Sequence, residues 1–298
     1  MTTNLPIFLT RTRHGPMFGL ATDPYVGRAL ALLGEFSGTE IRLLDDLLSP
    51  GDFVVEAGAH TGSHTIPMAQ RVGQSGKVIA FEPERALYRI LRANIAINDL
   101  ANIADARMQA VDEVERCLDA PIFDYWHEDN FGGFPDTLVA FTESPNKIVG
   151  SEAISTITID ALGLPKCSLI KADVEGMDVS VLGGALETIQ RHRPLFYLEI
   201  SARTARALLT SLDAMDYQSW HHCPPLFSED NYKGARVDPW NGTISTNVLA
   251  LPRERKMDGR ILSRHNLELI SDPLRYHAQF SHATPSGACL PFRRDRTA

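Results

Sequence analysis

The chain of 298 residues, 44% hydrophobic and 22% charged, is long enough to bury a sizeable core and has the ordinary composition of a globular protein. A net charge of −8 excludes any general attraction to nucleic acid, and no run reaches the roughly eighteen apolar residues that a membrane-spanning helix needs. Cys117, Cys167, Cys223 and Cys289 lie far apart with no C-x-x-C pair, so reduced thiols in a cytoplasmic protein are expected rather than a disulfide frame or a zinc site.

Residues 1–36 carry prolines, glycines and isolated aromatics without a sustained period and read as an N-terminal arm. The opening Met1-Thr2-Thr3-Asn4-Leu5-Pro6 lacks the basic and apolar regions of a secretory signal. Ser37-Gly38-Thr39-Glu40 has capping-box spacing, and Ile41, Leu44, Leu47 and Leu48 follow at helical intervals, so a helix is predicted over 39–48. The turn Ser49-Pro50-Gly51-Asp52 then launches the apolar run Phe53 to Val55, which ends in Glu56 and enters the loop Gly58-Ala59-His60-Thr61-Gly62. Strand, glycine loop and helix start together cradle a ligand, because glycine lets backbone approach closely and a helix start presents free N–H groups.

A helix to about Val72 follows, then a strand Val78 to Phe81 ending in Glu82, then a helix with Leu87, Ile90, Leu91 and Ile95 on one face. A third strand is predicted from about Ala106 to Val111, ending at Asp112. Residues 113–153 break the rhythm as an inserted, substrate-side segment containing Trp126, His127, Asn130 and Phe131. The pattern resumes with a small strand from Ile154 to Ile159, a core strand Ser168 to Asp173, a helix bearing Val181, Leu182, Ala185, Leu186 and Ile189, and a fifth strand Leu195 to Ile200. A helix near 202–214 precedes strands at about 217–221 and 246–251, which lack a helix between them and are expected to pair antiparallel at the sheet edge. Alternating strands and helices of this kind predict a Rossmann-like α/β fold with a mostly parallel sheet, an antiparallel edge strand and helices on both faces, over residues 37–252. Residues 253–298 read as a C-terminal tail.

Four core strands end in an acid, Glu56, Glu82, Asp173 and Glu199, with Asp112 just beyond the third. Ligands of open parallel sheets bind outside the C-terminal ends of the strands, so these acids are expected on one rim. Gly58-x-x-x-Gly62 misses the G-x-G-x-x-G spacing of dinucleotide sites, and Glu56 stands where a pyrophosphate would have to lie. A carboxylate there suits S-adenosylmethionine, which has a sulfonium, an α-amino group and a ribose diol and no phosphate. In that reading Gly58, Ala59 and Gly62 admit the methionine part, Glu82 accepts both ribose hydroxyls, His64 orients the cofactor or caps its helix, and Asp112 accepts from the adenine amino group or closes a turn.

The run from Gly51 to Thr65, with Ala80-Phe81-Glu82-Pro83, Lys171-Ala172-Asp173-Val174-Glu175-Gly176, Leu182-Gly183-Gly184-Ala185 and Leu198-Glu199, resembles the FkbM family of S-adenosylmethionine-dependent methyltransferases. The similarity spans roughly residues 17–252, including Asn130-Phe131-Gly132-Gly133 and Asn247-Val248-Leu249-Ala250. It implies a seven-stranded class I methyltransferase sheet and methyl transfer to the oxygen of a sugar, glycan or polyketide-type small molecule. Thr65 enters the cofactor set through this match. Glu56 stands where the family usually has Asp, and Ala172 where a bulkier Ile is common.

Methyl transfer to a hydroxyl needs in-line alignment and removal of a weakly acidic proton. Asp173, Glu175 and Glu199 are the expected catalytic carboxylates, with Lys171 as ion-pair partner of Asp173. Asp173 and Glu199 also offer oxygens to a hard cation such as Mg²⁺. His127, Asn130, Phe131 and His222 are the expected substrate contacts. A protein or nucleic-acid methyltransferase, and a binding protein that keeps the cofactor fold without turnover, are the competing classes; acidic balance opposes the first and intact strand-end carboxylates the second.

Overall fold

The computed structural model describes residues 5–131, 148–174, 176–201 and 203–271. Glu175, the Gly132-Gly133 pair and the tail beyond residue 271 lie outside the described residues. The arm folds as a hairpin, β1 (Ile7–Thr12) with β2 (Gly15–Leu20), followed by helix α1 (Val26–Leu32). It is built into the main body: Met17 and Leu30 join the principal core, and Asn94 accepts from the Phe18 N–H at 2.6 Å while donating to the Phe18 and Thr61 carbonyls at 2.9 and 2.8 Å.

Helix α2 (Gly38–Leu47) leads into β3 (Phe53–Ala57), α3 (Thr65–Val72), β4 (Lys77–Phe81) and α4 (Arg85–Ile97). The apolar spacing in α2 buries Ile41 and Leu44 as expected, yet the capping box does not form. Ser37 sits at φ 48° without a side-chain cap bond, and Glu40 is turned into the protein, 4% exposed.

The expected third strand is divided. β5 (Ala104–Arg107) joins the main sheet, whereas β6 (Ala110–Val111) pairs with β8 (Ile148–Ile157), which also pairs antiparallel with β7 (Cys117–Phe123). Residues 108–109 turn the chain out of the sheet, so Asp112 ends a strand of this smaller sheet. The described parts of the inserted segment, 113–131 and 148–153, build this separate β-structure, and β8 begins six residues before the strand expected at Ile154.

Next come β9 (Leu169–Ala172), helices α5 (Asp178–Gly183) and α6 (Leu186–His192), β10 (Leu195–Glu199) and α7 (Ala205–Ala214). One helix was expected from Val181 to Ile189, and two are found. The break falls at Gly184, where a Cβ would meet the Asp112 carbonyl oxygen at 2.2 Å; the close approach bends the chain and leaves Leu186 exposed at 53%. The chain closes with β11 (Tyr217–His222), β12 (Asn247–Pro252), α8 (Gly259–Arg264) and β13 (Glu268–Leu269).

Among the described residues the main sheet has eight strands, in the order β13-β11-β12-β10-β9-β3-β4-β5. β3, β4, β5, β9 and β10 are mutually parallel, the arrangement of a class I methyltransferase fold. Two details differ from expectation. β12 is antiparallel to both β10 and β11 and lies between them, so the reversed strand is interior, and the short β13 adds an eighth strand outside β11. The helical crossover α7 carries the chain one place past β10, and the helix-free return after β11 fills the gap, pairing its backbone on both sides. Apolar clusters cover both faces: Val54, Val78, Leu169 and Tyr197 belong to one, and Val55, Ile79, Ile170 and Phe196 to the other. Alternate residues of each strand thus enter opposite layers, as strands buried on both faces require. No described helix is long and apolar enough to cross a membrane.

Candidate active site

The parallel, adjacent strands β4, β3, β9 and β10 bring their C-terminal ends to one rim, with Glu82, Glu56, Asp173 and Glu199 along it. The loop after β3 passes the end of β9 so closely that a Cβ on Gly58 (φ 80°) would lie 1.9 Å from the Asp173 carbonyl oxygen. Only glycine accommodates both the approach and the left-handed backbone. The Gly58 and Ala59 N–H groups both donate to the Phe81 carbonyl, at 3.0 and 2.9 Å, tying the loop to the end of β4.

Glu82 is buried, with its Oε2 accepting the His60 N–H at 2.7 Å and its Oε1 the Glu84 N–H at 2.8 Å. Each carboxylate oxygen keeps a second lone pair, so a vicinal diol can still donate to both. Burial pushes the Glu82 carboxyl up to about 7. His60, at φ 51°, delivers its N–H from a left-handed turn while its imidazole Nε2 stands 3.5 Å from Asp23 Oδ2. Asp23 itself is fixed by the Tyr25 and Gly27 N–H groups, at 2.8 and 3.1 Å.

Glu56 is 1% exposed. Its Oε2 accepts from the Thr65 hydroxyl at 2.5 Å, while its buried Oε1 has no hydrogen-bond partner and faces Lys171 Nζ at 3.8 Å. Burial raises the Glu56 carboxyl above its ordinary range. Lys171 lies opposite Glu56 in the β3–β9 register and stands 3.7 Å from Asp173 Oδ2 on its other side. Burial opposes its charge, but Asp173 and Glu56, with Glu40 and Glu199, together outweigh burial and hold the ammonium above its usual range. The Asp173 side chain, 43% exposed, is the open member of this line, and Glu199 is half-buried at the end of the next strand.

His64 heads α3 without a side-chain cap bond. Its Nε2 points instead at Glu40 Oε2, 3.4 Å away, with the ring edge-on to Phe36 at 6.0 Å. The capping role expected for His64 is thereby replaced by a contact to α2. Asp112 is buried too, but its Oδ1 accepts the Glu113 N–H at 2.8 Å and its Oδ2 meets Arg116 Nε and Nη2 at 2.8 and 2.7 Å. These are the bonds of the turn alternative, and they follow from the chain's exit into the smaller sheet.

The expected substrate contacts divide. His127, 68% exposed and 3.0 Å from Asp124, and the exposed Asn130 are surface residues. Phe131 is core: it packs on Tyr125 and Phe123 at ring distances of 5.1 and 6.3 Å, beneath Leu20, Leu87 and Ile90. His222 is also interior, with Nδ1 2.9 Å from the Tyr197 hydroxyl. Phe131 and His222 alternate inward in segments that read as loop or strand end, and burial decides them. Among the described residues no group of three or more His, Cys, Asp or Glu is placed to hold a metal ion, and the Lys171 ammonium already stands against Asp173. The described residues do not fit the Mg²⁺ expected between Asp173 and Glu199.

Four contributors carried no usable sequence signal. Glu40 matched a capping box, Asp23 lay in an aperiodic arm, and Glu84 with Tyr125, whose hydroxyl donates to it, joins the residues after β4 to the inserted segment. Burial raises the Glu84 carboxyl well above its ordinary range.

The cradle fits S-adenosylmethionine on its own terms. A buried carboxylate with one unpartnered oxygen beside a glycine loop meets a cationic amino acid, and a carboxylate with two spare lone pairs on the adjacent strand meets a ribose. Together with the sheet order, these features define a class I methyltransferase. Residues 56–219, more than half of the chain, match the family described as the methyltransferase FkbM domain. The chain belongs to the FkbM family of S-adenosylmethionine-dependent methyltransferases. Among solved structures it is similar to the methyltransferase FkbM of Methylobacillus flagellatus KT, at 19% identity and a TM-score of 0.44, over 68% of this chain and 44% of that one. This chain therefore spans less than half the length of that relative. It is also similar to an O-methyltransferase from Bacillus cereus in complex with S-adenosylhomocysteine, at 13% identity and a TM-score of 0.43, over 72% and 81% of the two chains. A third is a SAM-dependent O-methyltransferase from Thermotoga maritima, at 13% identity and a TM-score of 0.43, over 84% and 79%. No curated protein matches by sequence.

Proposed function

We propose that this chain transfers a methyl group from S-adenosylmethionine to a hydroxyl of a sugar, glycan or natural-product-type small molecule. The observation that carries the reading is the line Glu56, Lys171, Asp173, in which a buried ammonium stands 3.8 Å from a buried acid on the cofactor side and 3.7 Å from an open acid on the other. When bound, S-adenosylmethionine supplies an electrophilic methyl on its sulfonium. Glu82 holds the ribose and Glu56 the amino-acid part, fixing the direction from which an acceptor oxygen must come. Asp173 takes the hydroxyl proton as that oxygen attacks, general-base work of the kind usually worth about 10²- to 10⁴-fold in rate. Lys171 stands 3.7 Å from the Asp173 carboxylate, and Glu199 lies on the adjacent strand within the field of that ammonium.

The test is methylation of a panel of glycans and lipid-linked sugars with isotopically labelled cofactor. An Asp173→Asn variant should lose at least about a hundredfold in kcat while retaining S-adenosylhomocysteine affinity. Full activity in that variant removes Asp173 from the acid–base role.

A further inference from the structure

The cradle loop holds three left-handed residues, Gly58 at φ 80°, His60 at 51° and Gly62 at 89°. Glycine takes such a backbone freely, whereas a residue with a side chain keeps it only where its surroundings over-determine it. At His60 the backbone has a task, because its N–H is the donor to Glu82 Oε2 at 2.7 Å. The imidazole supplies the anchor: its Nδ1 faces the Thr61 hydroxyl at 3.4 Å, and its Nε2 stands 3.5 Å from Asp23 Oδ2.

Asp23 is held firmly in turn. It is 2% exposed, with Oδ1 accepting the Tyr25 N–H at 2.8 Å and Oδ2 the Gly27 N–H at 3.1 Å. A Cβ on Gly27 would meet the Leu20 carbonyl oxygen at 1.9 Å, so the chain closes tightly around this carboxylate. Its neighbours are tied to two distant segments. Thr22 Oγ1 donates to the Tyr125 carbonyl at 2.7 Å in the inserted segment, and the Pro24 carbonyl accepts from the Trp240 indole at 2.8 Å in the loop between β11 and β12. Tyr125 donates to Glu84, whose own N–H holds the other Glu82 oxygen. Asp23, His60, Glu82, Glu84, Tyr125 and Thr22 thus form a closed ring of contacts around the carboxylate that faces the ribose.

We propose that Asp23, from an arm outside the residues matched to the family, is a positioning residue for the cofactor: it anchors the His60 imidazole, keeps the left-handed turn that points the His60 N–H at Glu82, and so orients the Glu82 carboxylate for a ribose diol. This rests on the methyltransferase reading above.

The experiment is calorimetric titration of the full chain at pH 8 with S-adenosylhomocysteine and with its analogue lacking both ribose hydroxyls. Wild type should bind the diol ligand at least about a hundredfold more tightly, the order expected for two hydrogen bonds to a charged acceptor. Asp23→Ser still forms the turn to Tyr25 but is too short to reach His60, and His60→Asn tolerates the left-handed backbone but is too short to reach Asp23. Each should lower the ratio at least about fivefold, and the double variant should lower it no more than about twofold beyond the more affected single one, because both cut the same link. Loss of structure alone would lower the melting temperature and weaken both ligands alike, leaving the ratio where it was.

An unchanged ratio in either folded variant overturns the proposal, as do single effects that add in full in the double variant. Should Asp23→Ser fail to fold, His60→Asn decides from the other side of the link. A wild-type ratio near one overturns the proposal without any variant, while S-adenosylhomocysteine binding keeps the cofactor reading. Binding of neither ligand instead overturns the methyltransferase reading itself.

Discussion

Glu82 gives the sharpest pH prediction. Its carboxyl, buried at the end of β4, is raised from 4.5 to about 7, so keeping it ionised in the folded protein costs about 3 kcal/mol relative to water. A group raised in the folded state binds more protons there than when unfolded. Its contribution to stability is therefore full below pH 4.5 and declines as pH rises through 7, by at most that amount. Ligand binding runs the opposite way. A diol donates to both carboxylate oxygens only when the group is ionised, so apparent affinity for S-adenosylhomocysteine should climb about fivefold between pH 6 and 7 and about tenfold by pH 8, where it levels off. Calorimetry from pH 5.5 to 8, in one set of buffers at constant ionic strength, measures this slope. Glu82→Gln should bind at least tenfold more weakly at pH 8 and lose most of the slope, because the amide keeps one acceptor and titrates nowhere in the range; any slope that remains belongs to the other raised carboxyls beside the site, Glu56 and Glu84. A wild-type affinity that is flat from pH 5.5 to 8 refutes the role of Glu82 as the ribose acceptor.

Gly58→Ala places a methyl 1.9 Å from the Asp173 carbonyl at φ 80°, and should both lower the melting temperature by several degrees and abolish the further rise caused by S-adenosylhomocysteine. Thr65→Ala removes the one hydrogen-bond donor to Glu56 among the described residues and should cost about 1 to 3 kcal/mol in urea unfolding, with no change in the m-value. Lys171→Met leaves Glu56 and Asp173 without their shared cation; destabilisation of about 3 to 5 kcal/mol is expected at neutral pH, relieved on acidification as Glu56 takes up a proton. Phe131→Ala opens a void against Phe123 and Tyr125 and should cost about 3 to 5 kcal/mol, whereas a substrate-contact residue would change KM with stability intact.

Much of this protein was legible in the order of its residues. Apolar runs ending in Glu56, Glu82 and Glu199 declare buried parallel strands, since only a strand covered on both faces is apolar throughout, and the period of 3.6 marks the helices between them. The glycine spacing with an acid before it already separated a methionine-derived cofactor from a dinucleotide. Local pattern failed where the outcome depended on what packs from afar. Ser37 and Glu40 have the spacing of a cap, but Glu40 goes to the interior because His64, Ser245 and Tyr197 wait there, and none of them is near it in sequence. Asp112 turns away to Arg116 because the chain leaves the sheet after Arg107, and Phe131 and His222 disappear into packing that no single segment reveals. β12 takes an interior place because the crossover before β11 left a gap to fill. Sequence determines which segments can be strand or helix through local sterics and burial pattern. Which acid stays charged, which is raised by burial and which faces the open cleft depends on dielectric and partners that exist only once distant segments meet.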